Sequence, residues 1–170
     1  MFLKFINYIF IILFFSSLAT ANENNVLLFN SSPKKIEDLI LKDTNNQEKN
    51  LSSFIDSNYI IVNFWATWCP PCIKEIPDLI DLELKFKEKF KVIFISVDSS
   101  PKETITKFLK KNSFRNFQTY IDEDLKVAKK LEVKVMPTSI IIDSKLNEIS
   151  RIKGYINWLD KKIINSLQNL

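Results

Sequence analysis

The chain of 170 residues is 46% hydrophobic, carries a formal net charge of +4, and contains two cysteines, one glycine and no histidine. Its lysines are spread over stretches of helical spacing, with no basic run and no interleaving of basic and aromatic residues, which argues against nucleic-acid binding. Two cysteines without a histidine leave too few donors for zinc, which takes four protein ligands, or three and a water.

Residues 1–21 combine Lys4, an apolar run over 5–15 and Ala19-Thr20-Ala21, a signal-peptide pattern with cleavage after Ala21. An uncleaved anchor is the alternative, because residues 5–21 just suffice for a short span although Asn7, Ser16 and Ser17 interrupt it. Either way an exported, periplasmic chain is expected, soluble or held by its N-terminus, with no cysteine near this segment for lipid attachment. Residues 22–35 read as a linker. Residues 36–170 are long enough for one domain with a sizeable core.

Within that domain, Leu39-Ile40-Leu41, the turn Asp43-Thr44-Asn45-Asn46 and residues 48–51 predict a β-hairpin, with Ser52 and Ser53 capping a short helix. Residues 59–65 are apolar and β-prone. Ile73, Ile76, Leu79 and Ile80 then recur at helical spacing, predicting a helix over 70–89 with Pro77 kinking it. The continuous apolar run in 91–97 fits a strand covered on both faces. Ser100-Pro101-Lys102-Glu103 reads as a capping box that opens a helix to about residue 111. A strand over 117–121, a short helix over 124–131, strands at 138–142 and 148–153 and a final helix capped by Asn157 complete the pattern, which is α/β. With one glycine available, Asn and Asp are expected at turn positions of positive φ.

The chemistry gathers at Trp68-Cys69-Pro70-Pro71-Cys72, where the strand gives way to the helix. Unpaired N–H groups and partial positive charge at a helix N-terminus lower a thiol pKa, which makes Cys69 the candidate nucleophile. Cys72, three residues on, is the candidate resolving thiol. The competing readings are weaker: a purely structural disulfide stabilises little across so short a loop, and a metal pair lacks further ligands. Glu75 is the nearest acid in sequence and a candidate proton donor or acceptor.

Asn63-Phe64-Trp65-Ala66-Thr67-Trp68-Cys69-Pro70-Pro71-Cys72, then Glu75-Ile76-Pro77, and later Val135-Met136-Pro137-Thr138-Ser139, resemble the TlpA/ResA-like branch of the thioredoxin superfamily. The resemblance covers 36–170 and implies a thioredoxin-like fold with an N-terminal β-hairpin and an inserted helix and strand over 101–121. It implies a thiol:disulfide oxidoreductase that needs no organic cofactor beyond the redox-active disulfide Cys69–Cys72. Asn63 stands where thioredoxin has a buried aspartate, so the proton path must differ, and Glu75 matches a glutamate that these proteins use near their thiols. Pro137 is expected to follow a cis bond and lie against the disulfide, with Trp68 and Met136 completing a substrate surface and Trp65 in the core. A reductant of protein disulfides such as apocytochrome c, recharged by a membrane thiol reductant, is the implied role. A general disulfide reductase or isomerase is the alternative within that chemistry. From a different class, a copper-handling thioredoxin-like protein would recruit a histidine that this chain lacks. A peroxidase would carry threonine three residues before its reactive cysteine, where Ala66 stands.

Overall fold

A computed structural model describes residues 27, 29–112, 114 and 117–170. The elements in chain order are β1 (Phe29–Lys35), β2 (Ile40–Asp43), β3 (Glu48–Asn50), a 3-10 turn (Leu51–Phe54), β4 (Tyr59–Trp65), α1 (Pro70–Lys85), β5 (Phe90–Ser96), α2 (Pro101–Lys111), β6 (Thr119–Ile121), α3 (Lys126–Lys130), β7 (Thr138–Asp143), β8 (Asn147–Lys153) and α4 (Lys161–Gln168). The strands join one sheet in the order β1-β8-β7-β4-β5-β6-β2-β3. β4 lies at its middle, parallel to β5 and antiparallel to β7. Its sequence is apolar at nearly every position because both faces are covered.

Side chains alternate along a strand, so the two faces of β4 feed two cores. On one face Ile61 and Trp65 pack with Val92, Phe94 and Ile141 under Ile76, Leu79 and Leu82 of α1 and Ile163 and Leu167 of α4. On the other, Ile60, Val62 and Phe64 pack with Ile93, Ile95, Ile140 and Ile142 against Leu39, Leu41, Leu51, Ala128 and Leu131. The expected hairpin is β2–β3, and the inserted helix and strand are α2 and β6, the latter parallel to β5. The fold is thioredoxin-like α/β.

Several local expectations are corrected. Part of the segment read as linker, Phe29–Lys35, is an edge strand exposed at every position and paired with β8. Backbone pairing holds it, and side-chain polarity does not report that. Asp160 rather than Asn157 caps α4, its carboxylate accepting from Lys162 N at 2.8 Å. Asn157 instead closes a turn with Leu159 N, which lets Trp158 drop into the core before the helix starts. Ser100 makes no side-chain cap; its carbonyl accepts from Thr104. Neither Ser52 nor Ser53 caps the 3-10 turn, and Ser52 is taken up by Asp38.

α1 stops at Lys85, short of residue 89, where Phe86 turns the chain so that its ring meets Phe90 edge-on. Positive φ falls on Asn46, as expected, but also on Leu125, Glu132 and Leu146 besides Gly154. Leu146 is held there by its N–H on Asp143 O and by its packing against the second core. The signal peptide or anchor assigned to 1–21 lies outside the described residues. Among those described, no helix is long and apolar enough to cross a membrane.

Candidate active site

β4 delivers the chain to Trp65, whose indole is buried and donates to Thr119 Oγ1 at 2.9 Å. A turn follows, closed by Cys69 N on Ala66 O at 3.1 Å, and Cys69 becomes the N-cap of α1 with Pro70 and Pro71 in its first turn. Cys69 and Cys72 are joined in a disulfide with their Cα atoms 5.3 Å apart. Cys69 retains 5% exposure and Cys72 none, so an incoming substrate meets Cys69 first. Trp68 beside it is 64% exposed.

The Met136–Pro137 bond is cis, and Met136 packs, half-buried, against the core cluster that includes both cysteines. Pro137 is buried, its carbonyl held by Gly154 N at 2.8 Å, while Val135 on the same loop is exposed. Val135 thus stands on a fixed base, and it and Trp68 are exposed apolar side chains of the two loops.

Glu75 shares a helix face with Cys72 because the two are three residues apart. It is 1% exposed. Asn63, on the α1 face of β4, donates from Nδ2 to Glu75 Oε1 at 2.6 Å and to Ser139 Oγ at 2.9 Å. Burial pushes the Glu75 carboxyl up from 4.5 to about 7, against stabilisation of the anion by Asn63, Trp158 and the Ile156 backbone, with Asp78 adding to the rise. The Trp158 indole N–H lies near enough to favour the anion but short of hydrogen-bond geometry, and it and Asn63 Oδ1 have no partner among the described residues. A carboxyl that titrates near neutrality beneath a thiol pair can take up and return a proton.

Three residues carry no role of their own in the sequence. Ser139 is the cross-strand partner of Asn63, which the antiparallel pairing of β4 and β7 dictates. Trp158 follows a polar turn and carries no signal of its own. Asp98, 2% exposed just past β5, accepts from Thr67 Oγ1 at 2.8 Å, Thr67 N at 3.1 Å and Ser96 Oγ at 2.8 Å. A buried acid at the carboxyl end of a parallel strand is its one legible mark.

The sequence pattern of the AhpC/TSA family matches residues 33–149. Thiol-disulfide oxidoreductase ResA of Bacillus thuringiensis subsp. konkukian (strain 97-27) is 32% identical over 121 residues, 71% of this chain and 69% of the relative. ResA of Bacillus subtilis (strain 168) is 28% identical over 132 residues, 77% and 70% of the two chains. Among solved structures, a Chlorobium tepidum protein assigned as thiol:disulfide interchange protein DsbE superposes with a TM-score of 0.68 at 26% identity, over 79% of this chain and 96% of its own. A DsbF homologue from Corynebacterium diphtheriae gives 0.70 at 20% identity over 88% and 96%, a likeness of fold. With a Cys-x-x-Cys disulfide at the head of α1, the chain belongs to the AhpC/TSA family and is a thioredoxin-like thiol:disulfide oxidoreductase.

Proposed function

We propose that this oxidoreductase is exported and works as a reductant of protein disulfides, with apocytochrome c, whose Cys-x-x-Cys-His must be reduced before haem attachment, as its leading substrate. The observation that carries the reductant reading is the start of α1. Pro70 and Pro71 occupy its first turn, so two N–H groups that a helix end offers a thiolate are missing. The chain has no histidine to add a cation. A weakly stabilised thiolate favours the disulfide form, and a pair that favours its disulfide gives electrons away.

In the reaction, the Cys69 thiolate attacks one sulfur of the substrate disulfide, whose S–S bond breaks as the mixed disulfide forms. The leaving thiolate takes a proton. Glu75 accepts the proton of Cys72, whose thiolate attacks Cys69 Sγ and expels the second substrate thiolate. Two electrons pass to the substrate, and the enzyme ends as Cys69–Cys72. Trp68, Val135 and Met136 receive the substrate polypeptide. No organic cofactor takes part. Residues 1–21 support export, and a membrane thiol reductant returns two electrons to the disulfide.

Equilibration with a glutathione or thioredoxin couple tests the direction. A potential nearer the thioredoxin end, about −270 mV, is expected, and a value above about −160 mV overturns the reductant reading. Cys72→Ala leaves the mixed disulfide stalled on Cys69; trapped partners without a Cys-x-x-Cys-His segment would replace apocytochrome c with a general disulfide substrate.

A further inference from the structure

The parallel ladder of β4 and β5 runs to its last pair, Trp65 and Ser96. Beyond it the two chains part, one into the Cys69 turn and the other toward α2. Asp98 sits in that fork and ties the branches together. Its carboxylate accepts from the Thr67 amide and hydroxyl on one branch and from the Ser96 hydroxyl on its own. Ser96 Oγ in turn accepts from Asp98 N at 3.1 Å. Both carboxylate oxygens are engaged by these partners, and no ion pair reaches them among the described residues.

We propose that Asp98 is a positioning residue for the loop that carries the nucleophile, and that its fixed negative charge biases the Cys69–Cys72 pair toward the disulfide. Thr67 lies two residues before Cys69. Two residues of chain reach at most about 7 Å, so the carboxylate stands within about 10 Å of Cys69. Charges that far apart in a partly buried setting still alter an equilibrium by on the order of tenfold. The disulfide carries no charge and the thiolate carries one, so the repulsion acts on the reduced, ionised state alone. Other acids near the fork are engaged elsewhere. Asp122, whose N–H binds Ser96 O, turns its carboxylate to the N–H groups of Val127 and Ala128. Glu75 sits on α1 under the Asn63 amide, while Lys74 of α1 lies over the Tyr155 ring.

The proposal deepens the reductant reading but is tested by a difference between variants, so an unexpectedly oxidising wild type would leave the test intact. Asp98→Asn keeps the shape and removes the charge. Alkylation of Cys69 at pH 6 should become three- to tenfold faster, and the exchange constant, measured at a pH above the thiol pKa, should move toward the dithiol by a similar factor, tenfold being about 30 mV for this two-electron couple. Thr67→Val keeps the charge and strips the anion of a donor, leaving more of its field on the thiol. Its alkylation should be at least twofold slower and its pair more reducing, a change opposite in sign. A merely structural latch would move both variants the same way. An unmoved Asp98→Asn, or a Thr67→Val that follows it or stays at the wild-type value, overturns the proposal. Should Asp98→Asn fail to fold, the sign of the Thr67→Val change decides alone.

Discussion

The two faces of β4 are made from one heptapeptide and do different work. Ile60, Val62 and Phe64 look into an apolar core, while Ile61, Asn63 and Trp65 look toward α1, where Asn63 binds Glu75 and Trp65 binds Thr119. The register that places Trp65 beneath α1 also places Asn63 against the face of α1 that carries Cys72 and Glu75. Within β4, polar chemistry is therefore confined to one of the strand's two faces. The apolar face stabilises that strand without touching the thiols.

That contrast can be broken by substitution on either face. The largest effect belongs to the apolar side: Phe64→Ala, at a fully buried ring, should cost about 3 to 5 kcal/mol in denaturant unfolding. The pH dependence of thiol reactivity in the folded fraction should stay where it was; a displaced profile would mean that the two faces are coupled.

On the polar side the expected change is one of pH dependence. A carboxyl whose folded pKa is raised contributes stability that is fully present below the unfolded value of 4.5 and lost as pH rises through about 7. The loss is on the order of 3 kcal/mol across that window. Glu75→Gln should flatten this decline, read as unfolding free energy against pH. A wild-type protein whose stability is level from pH 4.5 to 7 would show that the carboxyl is not buried as described.

The smallest effect on folding is expected at the rim. Trp68→Ala removes an exposed ring, so stability should change by less than about 0.5 kcal/mol. Reduction of a protein disulfide should slow more than reduction of a small aromatic disulfide. Equal slowing of both would remove Trp68 from the substrate surface.

What could be read from the chain depended on how local the determinants are. The strand-to-helix junction, the spacing that puts Glu75 one turn past Cys72 and the hairpin at 39–51 rest on neighbours in sequence. Pro137 was legible through the motif it shares with related proteins. Contacts that cross the fold were not: Asn63 meets Ser139 76 residues away, and Thr67 meets Asp98 31 residues away. Their polarity alone does not separate them from surface residues. β1 escaped for the opposite reason, since it buries no side chain that a hydrophobic pattern could register. Asn157 carried the right chemistry for a cap but lost the position once Trp158 claimed the interior.

The proposal at the centre of this account is that the carboxyl under the thiols exchanges their proton, and alkylation rate against pH tests it most directly. The reduced wild-type protein should show an inflection near pH 7 that belongs to Glu75 and its coupled thiol together. In Glu75→Gln that inflection should vanish and leave a single thiol titration. Superimposable curves for the two proteins would contradict the account and return Glu75 to a purely structural place beneath the helix.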